Sequence, residues 1–319
     1  MNGNGHNGLA EVEAPRWAPL LGEWDIGPDS LVYKGGAEIF QAHGQTFPMG
    51  LVVSNRALQH GSYKAAVKFE NVAEGSHFAG GLVIGYRSSD RYYIQVQFGA
   101  GRTAYSVTEF VPGFGWGVLK ATGPITALQS NRDYPLEADI RGQEVRVKVD
   151  GVSVLEVLLS RPLEGKQIGL IAAGEGKVTF SQVEVTSDRP RLFVAMEYRE
   201  PFDTFYQKVI KPQAESDFEV VRIDEKTGPG VIFQDMQREI AQADVVIAEI
   251  THSNPNVFYE LGYAHALGKP TILLAQRGVD LPFDIRSFRV VFYDDSIGGK
   301  SRVEEDLSKH LDAIRQSVE

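Results

Sequence analysis

The chain contains no cysteine. That single absence removes disulfides, thiolate metal sites, iron–sulfur clusters and a cysteine nucleophile. Basic charge is also short, since 32 Lys and Arg stand against 42 Asp and Glu, for a net charge of −10. A general DNA or RNA binder carries the opposite balance, so nucleic acid is excluded as a bulk partner, whereas a local basic pocket for a phosphate is still permitted. No apolar run approaches the roughly 20 residues a membrane-spanning helix needs, which excludes a membrane partner of that kind. The opening, MNGNGHNGLAEVEAP, lacks the basic stretch and apolar core of a secretory leader. Its Gly and Asn content reads as a disordered tail over residues 1–16. The simplest expectation is a cytoplasmic protein.

What is present fits two domains. The 319 residues exceed the size at which one core stops growing, and 43% hydrophobic with 23% charged residues is ordinary for a globular chain. From Trp17 to Val185 short alternating runs are separated by Gly, Asn, Asp and Pro, as in Tyr63 to Phe69, Tyr92 to Phe98 and Val178 to Val185. Many short strands of this kind predict an all-β jelly-roll sandwich over residues 17–187. Asp150-Gly151 marks a tight hairpin. The Gly81-Leu82-Val83-Ile84-Gly85-Tyr86-Arg87 and Tyr92-Tyr93-Ile94-Gln95-Val96 strands, with the Val147-Lys148-Val149-Asp150-Gly151-Val152 hairpin, resemble concanavalin-like (laminin-G-like) sandwiches. That group includes glycan hydrolases, but the Glu-x-Asp-x-x-Glu arrangement that two-carboxylate glycoside chemistry uses is missing.

Other features of this half stay open. Phe110, Phe114 and Trp116 occupy a Gly/Pro loop, and three uses stand for it: folding back on its own sandwich, a partner or self-association surface, and a small-ligand site. Trp17 and Trp24 are expected in the core. His43, His60 and His77 are scattered without ligand spacing, so no metal site is expected.

After Ser187-Asp188-Arg189-Pro190 the pattern changes to alternating strands and helices over residues 191–319. Strands are predicted at Arg191 to Met196, Phe218 to Ile223, Val245 to Ile250, Thr271 to Ala275 and Phe288 to Tyr293. Helices are predicted at Phe202 to Ser216, Val231 to Gln242, from near Val257 to Leu267, and Val303 to Ser317. This alternation gives a parallel sheet with right-handed crossovers, a flavodoxin-like α/β domain. Asn254 or Asn256 supplies a helix cap, Pro255 an early helical position, and Gly268 a left-handed stop. In such sheets ligands sit beyond the carboxyl ends of the strands. Glu260 therefore falls near the crevice. Its plainer role is to complement the positive end of the helix dipole.

The stretch Ala243-Asp244-Val245-Val246 followed by Tyr259-Glu260-Leu261-Gly262 resembles the signature of the nucleoside 2-deoxyribosyltransferase superfamily. Its nucleoside 5′-monophosphate N-glycosidase branch and the related NAD-cleaving TIR domains are included in that likeness, and Asn254-Pro255-Asn256-Val257-Phe258 is similar to TIR-like proteins of phage defence. The resemblance implies that Glu260 attacks or stabilises the anomeric carbon of a ribosyl group. Asp244 would orient the sugar or assist proton transfer. It also implies that the first βα loop, with Ala195, Met196, Tyr198 and Arg199, lines a base and sugar pocket. Arg199 suits a phosphate, Asp224 the ribose or base edge, and Asn254, Asn256 and Tyr259 the substrate; each also has an ordinary structural explanation as turn, cap or surface residue.

The function expected on this basis is an N-glycosidase or ribosyltransferase acting on a nucleotide or nucleoside. No cofactor is required, and NAD⁺ would be a substrate. The sandwich would be a sensor or assembly module, through self-association or a ligand. The rival is a catalytically idle nucleotide-binding module in an adhesion or signalling assembly.

Overall fold

The computed structural model describes residues 15–35, 39–42, 45–70, 77–99, 103–163, 165–225 and 232–318. Most of the expected tail, His43 and loop residues 226–231 lie outside the described residues.

Residues up to Ser187 build two antiparallel sheets packed as a jelly-roll sandwich. One has eight strands, in the order Trp17–Leu21, Gln45–Ala57, Gln167–Gly174, Phe78–Arg87, Tyr92–Phe98, Thr103–Val111 and Gly115–Pro124, with Ile39–Ala42 paired to Gln45–Ala57. The other has seven, in the order Val152–Leu158, Glu144–Val149, Asp133–Arg141, Gly61–Glu70, Lys177–Ser187, Ser30–Tyr33 and Trp24–Ile26. Strand alternation decides which side chains face inward. Tyr63, Ala65, Val67 and Phe69 meet Leu82, Ile84, Ile94, Val96 and Phe98 in the core between the sheets. Trp17 and Trp24 pack against that core while only partly buried. The Asp150-Gly151 turn has both residues at positive φ, 50° and 76°, as a two-residue hairpin loop demands.

The aromatic segment is a hairpin rather than a loop. Phe110 ends one strand and Trp116 enters the next, directly paired in register. Phe110 stacks on Tyr93, ring centres 5.0 Å apart at 16°, and Trp116 tilts against Phe110 at 54°, on the outer face of the eight-stranded sheet. Phe114, at the turn, is 92% exposed.

The second half is a five-stranded parallel sheet. Its strands are β1 (Arg191–Ala195), β2 (Glu219–Val221), β3 (Val245–Glu249), β4 (Thr271–Gln276) and β5 (Val290–Tyr293), in the order β2-β1-β3-β4-β5. Both faces are covered. Helix α1 (202–214) and the final helix α4 (Ile297–Val318) pack on one face through Tyr206, Val209, Ile210, Val303, Leu307 and Leu311. Helices α2 (Ile232–Gln242) and α3 (Pro255–Ala266) pack on the other through Met236, Ile240, Val257, Leu261 and Ala264. Coverage of both faces explains the unbroken apolar run Val245 to Ala248.

Two helices differ from expectation. Helix α1 contains a π-helical turn at Tyr206–Ile210, two residues short of Pro212, whose ring and missing N–H disturb the regular ladder. Helix α4 begins at Ile297, before Val303, because Ser296 Oγ accepts from Gly299 N and starts it through a glycine pair with no apolar period.

The two halves meet at the amino ends of the parallel strands. Gln143 N donates to Ala241 O at 3.0 Å, and Gln242 Nε2 donates to Glu144 Oε2 at 2.9 Å. Arg191, at the start of β1, is buried there and donates to Gln242 and to Glu239. Lys269 donates to the carbonyls of Ala241 and Ala243 at 2.6 and 2.7 Å. Burial lowers its ammonium to about 8, against the pull of Asp244.

Candidate functional site

The strand order reverses direction between β1 and β3, which stay paired as far as Ala195 and Ala248, and the crevice beyond their carboxyl ends is the place where ligands of open α/β sheets sit. Two loops form its rim, the one after β1 carrying Glu197, Tyr198 and Arg199, and the one after β3 carrying Thr251 to Asn254. Glu197 ties them together. Its carboxylate accepts from Arg199 Nε at 2.6 Å and from Asn254 Nδ2 at 3.1 Å, and lies 3.3 Å from His252 Nδ1. Burial would raise the Glu197 carboxyl, but the bonds from Arg199, Asn254 and His252 outweigh it and hold the group below its ordinary value.

Asn254 serves both loops. Its Oδ1 accepts from Asn256 N at 2.9 Å and caps α3, with Pro255 in the first helical position. Its Nδ2 reaches Glu197. The cap therefore fixes where α3 starts and how its inner face is turned.

On that face the buried residues are Val257, Glu260, Leu261 and Ala264, a helical stripe in which one position is a carboxylate. Glu260 is 7% exposed, its Oε2 has no hydrogen-bond partner among the described residues, and it takes part in no ion pair there. Burial alone raises its carboxyl to about 7. It lies in the second turn of α3, beyond the turn where a charge complements the helix dipole well.

Tyr198 belongs to the same space. The residue is 41% exposed, yet desolvation of its hydroxyl, then the charges of Glu260 and Asp224, hold that group well above its ordinary value. Arg222, just past β2, stands on the α1 side of the rim: its guanidinium grips Asp224 through two bonds of 2.6 Å, meets Asp203 of α1 at 2.8 Å, and lies 4.3 Å from the Tyr206 ring centre and 5.4 Å from that of Tyr198. Glu197 and Arg222 carry the geometry of this rim, yet neither stood out in the sequence. The signal for both was a charged residue one or two places past a buried strand.

Several expected site residues are placed elsewhere. Asp244 does not meet Glu260. It precedes β3, at the amino edge of the sheet, and five strand steps of about 3.3 Å separate it from the crevice level. There its Oδ2 accepts from Arg191 N at 2.7 Å and its Oδ1 lies 3.6 Å from His60 Nδ1 of the sandwich. Met196 is 2% exposed and packs on the α1 face, opposite Glu260, because strand alternation carries it there with Leu192 and Val194. Phe202 and Tyr206 are core residues of that same face. Tyr259 stands on the outer surface of α3, 47% exposed, with its ring 5.4 Å from that of Phe233.

The rest lie at or near the rim. Ala195 is fully buried at the end of β1, on the α2 and α3 face. Arg199 is largely exposed and paired with Glu197. Asp224 holds Arg222, and Asn256 is exposed while its N–H receives the cap. Glu249 ends β3 facing α1, where Tyr293 Oη donates to it at 2.8 Å and Thr251 Oγ1 also bonds it. Among the described residues no cluster of His, Asp and Glu could hold a metal ion, and no helix is long and apolar enough to cross a membrane.

No family model matches the chain, and no curated protein does. Among solved structures it is similar to the carbohydrate-binding module CBM66 from Bacillus subtilis, with 16% identity over 52% of this chain and 92% of that one and a TM-score of 0.42. A laminarinase catalytic domain from Thermotoga petrophila shares 11% identity over 53% and 90% of the two chains, at a TM-score of 0.39. A Bacillus licheniformis β-glucanase shares 12% over 54% and 92%, at 0.37. Likenesses this low in identity and score carry no functional argument.

Proposed function

We propose that the second half is an N-glycosidase or ribosyltransferase acting on a nucleotide or nucleoside, with Glu260 as the carboxylate beside the anomeric carbon. The observation that carries this reading is the buried Glu260 carboxyl on the inner stripe of α3, whose Oε2 has no partner among the described residues. The strand order is that of the flavodoxin-like class, whose ligands lie at the switch point. The likeness of the Asp244 to Gly262 stretch to the deoxyribosyltransferase and TIR-like families supplies the ribosyl substrate.

Breaking an N-glycosidic bond builds positive charge on C1′ and the ring oxygen. A carboxylate held out of water, with no cation paired to it among the described residues, gains most when that charge develops, either as an electrostatic partner or as a nucleophile. A neutral base also needs a proton as it leaves. Of the other rim acids, Glu197 is held ionised, both oxygens of Asp224 are bonded by Arg222, and Asp244 is at the far edge. A leaving group that is already cationic needs no proton. NAD⁺, which releases neutral nicotinamide, is therefore the substrate that suits this site best. The sandwich then acts as a sensor or assembly module attached behind the sheet.

Incubating the full chain with NAD⁺ and a panel of deoxynucleoside monophosphates, with chromatography of the released base, tests the proposal. Nicotinamide release is expected, falling by about 10²-fold or more in Glu260→Gln. A second reading, an idle nucleotide-binding module, is favoured by the distance of Asp244 from Glu260. It prevails if NAD⁺ binds but no base is released even at high protein concentration.

A further inference from the structure

On the face of the parallel sheet opposite Glu260, a cavity of about 450 Å³ opens between α1, α4 and the carboxyl ends of β4 and β5. Its wall is apolar and aromatic. Phe205 and Tyr293 lie nearly parallel, ring centres 4.5 Å apart at 14°, and Val209 and Val303 continue the lining. A space of this volume and lining suits a ring-sized ligand.

The mouth is charged. Lys208 of α1 and Lys300 of α4 both line it. Lys208 has no ion-pair partner among the described residues, and Lys300 meets Glu304 at 3.4 Å on an exposed surface, a pairing of little strength. Of the two acids at the mouth, Asp294 is 3.3 Å from Arg277, which offsets its charge, and Asp295 is exposed on the rim. Lys208 and Lys300 are the cations of the mouth, and Asp295 is the acid there that an anionic ligand must avoid.

The floor leads inward. Tyr293 Oη donates to the buried Glu249, Thr251 Oγ1 bonds the same carboxylate, and Gln276 N donates to Thr251 Oγ1 at 2.8 Å. Thr251 opens the loop that carries His252 and Asn254 to the crevice on the other face.

We propose that this cavity binds a small molecule consisting of a flat apolar ring and an anionic group, the ring against Phe205 and Tyr293 and the anion at Lys208 and Lys300. Its occupancy is read at the crevice through Tyr293, Glu249 and Thr251. That last clause rests on the glycosidase reading; the binding itself does not.

Isothermal titration of the full chain with 2-naphthoate and with its uncharged amide tests the site. Saturable binding of the acid is expected, at least about tenfold tighter than the amide. The double variant K208E/K300E, with both changes on exposed side chains and its fold checked by thermal melting, should lose the acid's advantage, whereas Glu260→Gln should keep it. Absence of saturable binding, equal affinity for acid and amide, or unchanged acid affinity in K208E/K300E overturns the proposal. So does loss of binding in Glu260→Gln, which would put the probe in the other crevice. Heat of binding is measured without turnover, so an inactive protein leaves this test intact.

Discussion

Glu260 occupies a position that an apolar residue would fill more cheaply, and its protonation records the cost. In the folded chain it keeps its proton up to about pH 7, against an ordinary value of 4.5. Between those values the folded state binds more protons than the unfolded one, so this group makes stability fall as pH rises through that window. Glu260→Gln removes the slope. Urea unfolding at pH 5 and pH 8 should show the native protein losing on the order of 3 kcal/mol more than the variant over that interval. Equal losses would mean that water or a cation already reaches the carboxylate.

At the scale of the element, α3 positions that carboxylate and Asn254 positions α3. Asn254→Ala removes the cap and the bond to Glu197 at once. A loss of about 1 kcal/mol from the cap is expected in urea unfolding, and base release should fall more than stability, since the inner stripe loses its anchor. Much of this helix was legible in the chain, because local chemistry dictates it: Asn254 caps, Pro255 starts, and Gly268 stops at φ 68°. The bounds of α4 were not, since a glycine pair carries no period and its start depends on one serine hydroxyl. The π turn of α1 depends on Pro212, which a pattern of apolar residues passes over. Met196 was assigned to the crevice from its loop position, although its parity with Leu192 and Val194 already put it on the other face.

For the whole molecule the decisive fact is which edge of the sheet joins the sandwich. Asp244 lies on that edge, so its role is to hold Arg191 and face His60. Asp244→Ala should lower the urea stability by about 1–3 kcal/mol and leave nicotinamide release per folded molecule unchanged. A large loss of turnover with full stability would return Asp244 to the chemistry. Gly142 is the complementary test: its φ is 55°, and an added Cβ would stand 2.6 Å from Ala241 O. Gly142→Ala should cost more than about 1 kcal/mol and split one unfolding transition into two. Two domains and their order were legible from the change in periodicity, whereas their mode of attachment rests on pairs such as Glu144 with Gln242 that no local pattern reveals.

Helix α2 begins on the crevice side of the sheet and ends at Gln242, bonded to the sandwich through Glu144. It is an 11-residue rod, about 16 Å long, fastened at its rear end to the turn at residues 142–144. A pull on that turn therefore bears along the axis of α2, like a bolt drawn in its barrel, toward its other end at Ile232.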